Sequence, residues 1–577
     1  MRTAENAPPP ADGERRWVWA GLAAVLAGGL LLRLWGLREG LPYVYNVDEG
    51  THFVTHAVQM FAGGLNPHYF ANPPAFTYVL HGLFALWYGG GAAAQHALEG
   101  DPTGVFTLAR VASAVLGTIA LWLLYLTGAR LFSRRAGLLA SAILAVAFLP
   151  VFYAHLAVND VPTLAPLTLS LLGSAGVLRH GRRHDYLIAG LGLGLACASK
   201  YTAGIVILPL AAATVSNARR QPAGGALLGV AIAFVCALAA FLVANPYSLL
   251  DYSSFHGELV HQSTLSSEAQ GKLGAPHESG IAYYLWTLTW GLGWVPALAA
   301  LAGAVLIWRR DSAVGWMLVP APILFLAFMG LQGRYFGRWL MPIFPILALL
   351  AAFAALALAH AGGRRLQGSP RWVRGLAAGL LVAAILAQGL IYSVHSGIVL
   401  SRADTRTLTR DWMIAHVPAG SRIVAEPVSP DAWARQEPGS AACPRYQWCK
   451  YASFVSRIGP GGAVASRTKQ VGVEDYERTL SPALLGYYTS HGYCWVLTGS
   501  TESGRASADP GAVPGAVAYY RALARQGERV FTASPYGAGK GAVPFGFDWS
   551  FDYYPLAYAR PGPELAVYRL HGGLCGA

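Results

Sequence analysis

From residue 17 to about residue 396 the chain alternates long uncharged apolar runs with short polar joints. The runs lie near 17–37, 105–131, 137–157, 159–178, 186–199, 201–216, 224–244, 280–308, 313–331, 338–361 and 374–396. Crossing a hydrocarbon layer of about 30 Å takes roughly 20 helical residues, so the pattern predicts about eleven transmembrane helices, with the pair 186–199 and 201–216 the shortest. From Ser401 the pattern changes to that of a soluble domain. "TRTLTRDWMIAHVPAGSRIVAE" reads as helix, Pro-Ala-Gly turn and strand; "GYCWVLTGS" and "PELAVYRL" read as strands, and "AVAYYRALARQGERVFTAS" as helix then strand. The fold class is therefore an α-helical polytopic membrane protein with a C-terminal α/β domain of ordinary size.

Composition agrees: 54% of residues are hydrophobic and only 12% charged, which excludes a single soluble core. The polar stretch 1–16 precedes an apolar run too long for a signal-peptide core and without a small-x-small cleavage site, so 17–37 is expected to remain as the first helix. The run "PPAFTYVLHGLFALWYGG" (73–90) is a possible twelfth span, and the distribution of arginine argues against it. The clusters at 133–137, 179–186, 217–221, 308–312 and 362–375 fall in every second loop only if 73–90 does not cross. It is then a juxtamembrane or re-entrant element. The expected layout is a cytoplasmic tail 1–16, a transmembrane domain 17–396 with a long first outer loop 38–104, and an extracytoplasmic domain 397–577. The net charge of +13 becomes an orientation signal of a multi-pass plasma-membrane protein and not a nucleic-acid surface.

Six cysteines divide between the two regions. Cys197 and Cys236 lie in apolar runs, whereas Cys443, Cys449, Cys494 and Cys575 lie in the tail. Four cysteines in an exported domain fit two disulfides with three possible connectivities; Cys443–Cys449 with Cys494–Cys575 is the favoured one.

With this topology the polar residues that matter face outward: Asp48, Glu49, His52 and His56 in the first loop, His155 and Asp160 in "YAHLAVNDVPT", Lys200 in "ASKYTAG", and Arg334 and Arg338 in "QGRYFGRWLMP". Charges at membrane depth are costly and tend to line a substrate path. Acids and bases together suit transfer of a group from a lipid phosphate: a carboxylate takes the proton of an acceptor hydroxyl, and fixed cations stabilise the departing phosphate.

The order of these elements resembles the GT-C glycosyltransferases, specifically the protein mannosyltransferase-like family 39 enzymes, which are similar to lipid A aminoarabinose transferases. The resemblance covers roughly residues 17–400. It rests on "DEG" followed by "LNPHYFANPP", Arg110 opening the next helix, "RLFSRRAGLLASAILAVAFLPVFYAHLAVNDVPT", "AGLGLGLACASKYTAGIVILPL", "NPYSLLD" and "GRYFGRWLMPIFPILALLAA". It implies an inverting transfer of a sugar from a polyprenyl-phosphate donor to a glycan, lipid or protein hydroxyl on the outer face, without a cofactor. Carried over by motif, Asp48 is the general base, Glu49 and Asp160 the accompanying acids, and Lys200, Arg334, Arg338 and Arg110 the donor-phosphate ligands, Arg110 alternatively holding the first loop.

Each position has a structural alternative. Glu49 can charge a helix start, Asp160 can cap a helix, and Lys200, Arg334 and Arg338 can anchor at the headgroups. His52 and His56 stand one helical turn apart, with Asp48 or Glu49 a turn earlier, a spacing that can hold a divalent metal; the competing expectation is a helix at the donor entrance. Two other functions compete with transfer: a flippase of lipid-linked sugars, for which no inverted repeat is evident, and a non-catalytic envelope assembly protein.

Overall fold

The computed structural model describes residues 12–220, 223–267, 279–418, 421–427, 435–436, 449–451, 456–458, 464–466, 473–540 and 556–576. It forms two compact units, one of Met1–Leu37, Asp48–Thr264 and Ser279–His395, the other of Arg38–Val47, Leu265–Glu278 and Ser396–Ala577.

The first unit is helical. It contains α1 (Asp12–Leu34), α2 (Val47–His52), α3 (Val54–Gly63), α4 (Ala75–Tyr88), α5 (Gly91–Gly100), α6 (Thr103–Leu131), α7 (Arg134–Val146), α8 (Phe148–Tyr153), α9 (Leu164–Arg179) and α10 (Arg183–Ser199). It continues with α11 (Ile207–Ala218), α12 (Ala223–Ala244), α13 (Tyr247–Leu250), α14 (Tyr252–Ser267), α15 (Gly280–Leu288), α16 (Trp294–Arg310), α17 (Ser312–Leu318), α18 (Pro320–Gly330), α19 (Phe344–Arg365) and α20 (Arg371–Leu400). Among the described residues eight helical stretches are long and apolar enough to cross a membrane. The runs 137–157 and 159–178 form shorter helices than expected, with α7 at 13 residues, α8 at 6 and α9 at 16, whereas the run 186–199 extends to the 17 residues of α10. The 73–90 run is α4, whose 14 residues rise only about 21 Å.

Two local causes shape this bundle. Gly190 and Gly194 let α10 lie directly on α12: a Cβ there would stand 2.2 Å from the Ala233 carbonyl oxygen and 2.1 Å from that of Ala237. This is the small-xxx-small spacing that brings membrane helices into backbone contact. Between α7 and α8, Pro150 has no N–H to offer the Val146 carbonyl. That oxygen instead accepts from the Ser393 hydroxyl (2.9 Å), while the Arg33 guanidinium donates to the carbonyls of Ala145 (3.1 Å) and Leu144 (3.3 Å). Arg33 thus caps α7 from α1, a cation at the negative end of a helix.

The second unit is α/β. Its sheet has the order β2-β3-β1-β6-β8-β7, from β1 (Arg422–Ala425), β2 (Arg435–Gln436), β3 (Cys449–Tyr451), β6 (Tyr493–Gly499), β7 (Gly527–Ala533) and β8 (Leu565–Leu570); β4 (Ser456–Ile458) and β5 (Val464–Ser466) form a separate hairpin. β1 pairs in parallel with β3 and β6, and β8 antiparallel with β6 and β7. Alternation along β1 and β6 divides the core. Val424 and Val496 face α22 (Ala483–Ser490) and α24 (Pro514–Gln526), whereas Ile423, Ala425 and Leu497 face α21 (Thr405–His416), with α23 (Ser500–Ala508) following β6. α21, β1, β6, α24, β7 and β8 are elements the tail sequence predicted; α22, α23 and the short strands β2–β5 were not among them.

Cys494 and Cys575 form a disulfide across 81 residues of chain, and Cys197 and Cys236 are free. Cys443 lies outside the described residues, and Cys449 starts β3. At the carboxyl ends of β1 and β6, Glu426, Glu477 and Glu502 are buried beside one guanidinium, Arg505, which stands 3.5 Å from Glu477. Glu426 accepts from the Tyr520 hydroxyl and from Gly499 N–H, both at 2.7 Å. Burial, and then the neighbouring Glu477, push the Glu502 carboxyl up to about 7.

Two outcomes are expected. Cys494 and Cys575 should resist alkylation in native membranes until reduced, and Cys494→Ser should cost about 2–5 kcal/mol of the stability of its unit, read by proteolysis of the full chain. The folded unit holds a proton on Glu502 that the unfolded chain releases near its ordinary value of 4.5. Stability should therefore be greatest below that value and decline as pH rises towards 7. Glu502→Gln should flatten that decline in thermal unfolding of the full chain.

Candidate functional site

Asp48 and Glu49 are neighbours on α2 with opposite fates. Glu49 is fully buried. Its two oxygens accept from Arg110 Nε (2.6 Å) and Nη2 (2.7 Å), a bidentate pair. Oε1 also accepts from the Ala157 N–H at 2.9 Å, and Arg110 Nη1 donates to the Leu37 carbonyl at 2.8 Å. One ion pair thus fastens the end of α1, helix α2, helix α6 and the second outer loop to one another. Glu49 and Arg110, expected as a catalytic acid and as a phosphate ligand or holder of the first loop, are both buried and bonded to each other.

Asp48 keeps 30% of its side chain exposed and accepts from Arg338 Nη2 at 2.5 Å. Arg338 stands in the 3-10 turn Gly337–Ile343, after the extended residue Phe336, and its Nε reaches to 4.0 Å from Asp160 Oδ2. Asp160 comes from the buried irregular stretch 154–163 and its Oδ1 accepts from Lys200 Nζ. Lys200 follows the last turn of α10, where the backbone turns extended before the 3-10 turn Tyr201–Val206. Asn159 Nδ2 donates to the Ser199 carbonyl at 2.7 Å and so ties the Asp160 stretch to the end of α10. Four chain segments thereby deliver two carboxylates and two cations to one cluster, all only partly exposed. Arg334 is half-buried in the turn just before this one.

The electrostatics follow from that pairing. Burial alone would raise the Asp48 carboxyl, but the adjacent Arg338, and after it His52 at 3.6 Å, more than offset this and hold it below the ordinary carboxylate value. Burial lowers both His52 and His56. The Arg338 guanidinium lies 5.0 Å from the Phe336 ring centre and 5.8 Å from that of Tyr153, so its apolar surroundings are aromatic.

His52 and His56 both stack on a common neighbour, Tyr69, with ring centres at 5.0 and 5.1 Å and planes within 15° and 10°. No group of three or more His, Cys, Asp or Glu among the described residues could hold a metal ion. His155 is buried with both ring nitrogens facing carbonyl oxygens, those of Phe152 (3.2 Å) and Trp35 (3.0 Å), and belongs to the scaffold.

Tyr69 and Glu258 are the residues that sequence reasoning passed over. Glu258 on α14 accepts the N–H groups of Phe70 (2.6 Å) and Ala71 (2.8 Å), Tyr201 donates to the Phe70 carbonyl (3.0 Å), and Asn66 donates to Asp251 (2.9 Å). These bonds hold the "LNPHYFANPP" stretch. In the sequence the stretch stood out only through the family resemblance, and a lone glutamate in "FHGELVHQ" carried no signal.

Residues 97–244 match the family profile described as dolichyl-phosphate-mannose-protein mannosyltransferase. No curated protein sequence matches significantly. Among solved structures, the archaeal oligosaccharyltransferase AglB from Archaeoglobus fulgidus, in complex with an inhibitory peptide and a dolichol-phosphate, aligns with a TM-score of 0.52 at 13% identity over 93% of this chain and 75% of that one. The Archaeoglobus fulgidus oligosaccharyltransferase in its apo form gives 0.50 at 12% over 91% and 74%. ArnT from Cupriavidus metallidurans bound to undecaprenyl phosphate gives 0.45 at 14% over 97% and 99%. The chain thus shares the fold of the AglB structure, and over residues 97–244 its sequence is similar to the dolichyl-phosphate-mannose-protein mannosyltransferase family.

Proposed function

We propose that the chain is an inverting glycosyltransferase that moves a sugar from a polyprenyl-phosphate donor to a hydroxyl acceptor at the outer face of the plasma membrane, with its N-terminus cytoplasmic and its α/β unit extracytoplasmic. The observation that carries this reading is the convergence of Asp48, Asp160, Lys200 and Arg338 from four separate segments. The AglB structure of the same fold contains a dolichol-phosphate, the chemical class of the donor proposed.

The reaction is a single displacement. The acceptor oxygen attacks the anomeric carbon, the bond from that carbon to the phosphate oxygen breaks, and the electron pair leaves with the polyprenyl phosphate. The acceptor's proton goes to Asp48. Its 30% exposure leaves room for a hydroxyl, whereas Asp160 is 5% exposed and engaged with Lys200. Lys200 and Arg338, with Arg334 close by in sequence, neutralise the charge that grows on the leaving phosphate. A donor phosphate competes with Asp48 for Arg338, so its arrival frees the carboxylate to act as a base. Asp160 keeps Lys200 and Arg338 aimed at the place where the phosphate sits.

Asp48→Asn should lower transfer about 10²–10⁴-fold, measured as loss of the sugar-bearing product in the envelope by mass spectrometry, while thermal unfolding stays close to that of the parent protein. Full activity of that variant would rule out Asp48 as base and leave Asp160 to be tested. Arg110→Leu should behave oppositely. Stranding the buried Glu49 charge costs about 3–5 kcal/mol, so the unfolding temperature and the yield of folded protein should fall together with activity.

A further inference from the structure

The residues that lead into Asp48 do not belong to the unit that holds Asp48. Arg38–Val47 is part of the second unit, and within that unit it is firmly held. Tyr43 and Tyr45 pack against the apolar cluster of Met413, Ile423, Leu497 and Val567. The Tyr45 hydroxyl is 3.0 Å from the Thr407 hydroxyl, and the Arg406 guanidinium carbon lies 3.8 Å from the centre of the Tyr45 ring. Arg410 sits 5.1 Å over Tyr43, and the two tyrosine rings stack at 6.1 Å. Arg406 is itself fixed by two bonds to Asp404, at 2.8 and 2.7 Å, and Asp404 caps the start of α21 by accepting from the Arg406 N–H at 2.7 Å.

Asp48 follows Tyr45 by three residue steps, a reach of at most about 11 Å even when fully extended. Whatever fixes the Tyr45 ring therefore restricts where α2 begins. A base misplaced by about 1 Å can cost about 10²-fold in rate, so such a restriction matters to the chemistry. We propose that the C-terminal α/β unit positions the catalytic loop through a clamp of Arg406 and Thr407 on Tyr45, and that this is one purpose of the domain. Tyr45 and Arg406 are positioning residues, since they act through Asp48 and not on substrate. The proposal rests on the reading of Asp48 as the base.

The test uses the full chain in lipid nanodiscs. Tyr45→Ala removes the clamp, Tyr45→Phe keeps the ring under Arg406, and Arg406→Gln removes the cation while leaving the core tyrosine in place, which covers the case in which Tyr45→Ala does not fold. Hydrogen exchange of the amides of residues 46–52 should quicken about 10-fold in Tyr45→Ala and Arg406→Gln. It should stay near the parent value in Tyr45→Phe, with exchange in 337–350 unchanged in all three. Undecaprenyl phosphate, used as the binding probe, should bind within about twofold of the parent, while transfer in the native host falls about 10- to 100-fold and recovers largely in Tyr45→Phe. Unchanged exchange at 46–52 would overturn the clamp, and so would quickened exchange with full transfer. If Asp48→Asn retains transfer, the base assignment fails on its own, and the exchange measurement still decides whether the second unit orders the loop.

Discussion

A carboxylate wholly withdrawn from water survives only with a full set of charged and hydrogen-bonding partners, and Glu49 has one: a bidentate arginine and a backbone N–H. The first unit depends on this pair because each partner comes from a different part of the chain. Arg110 enters from α6, Ala157 from the second outer loop, and Leu37, which accepts from Arg110, from the end of α1. Apolar helix faces are interchangeable in register, since one leucine packs much like another. An ion pair with two fixed bonds is not, so it selects one register for α2. That choice turns the neighbouring Asp48 towards Arg338.

Three of the four clustered charged side chains sit where helices stop. Asp160 belongs to the irregular stretch after α8, Lys200 to the break after α10, and Arg338 to a 3-10 turn before α19. Helix interiors consume their own backbone polarity, whereas non-helical backbone in an apolar setting must find partners or line a cavity. The partners here are side chains from distant helices: Arg33 and Ser393 at the end of α7, and Asn159 at the end of α10. The same breaks that need these caps supply the flat, branching geometry in which two acids and two cations can meet.

The second unit builds its core differently. Period-two alternation on β1 and β6 splits the apolar residues between two helical layers, and a buried cluster of three glutamates against one arginine closes the carboxyl ends of those strands. Its capture of Arg38–Val47 means that the chain enters the second unit and leaves it again before reaching Asp48.

Much of this was legible in the sequence for physical reasons. Apolar runs long enough to cross hydrocarbon, and the switch to period-two strands after Ser401, are local properties that need no partner to be read. The helix α21 and the strands at 493–499 and 565–570 are of this kind. The candidate site residues also stood out locally, because a charge in an apolar context does so whatever its surroundings. Tertiary structure alone decided their environments. Asp48 and Glu49 are adjacent acids with identical sequence signals, and only the contact with an arginine 61 residues away goes with the burial of one, while the other stays partly exposed. The end of α7 depended on Pro150 and the distant groups that cap the freed carbonyls, and the stacking of His52 and His56 on Tyr69 on how Glu258 holds a loop 188 residues earlier in the chain. Sequence periodicity reports which face of an element is apolar; which two faces meet is a property of the whole chain, and the different burial of Asp48 and Glu49 was decided there.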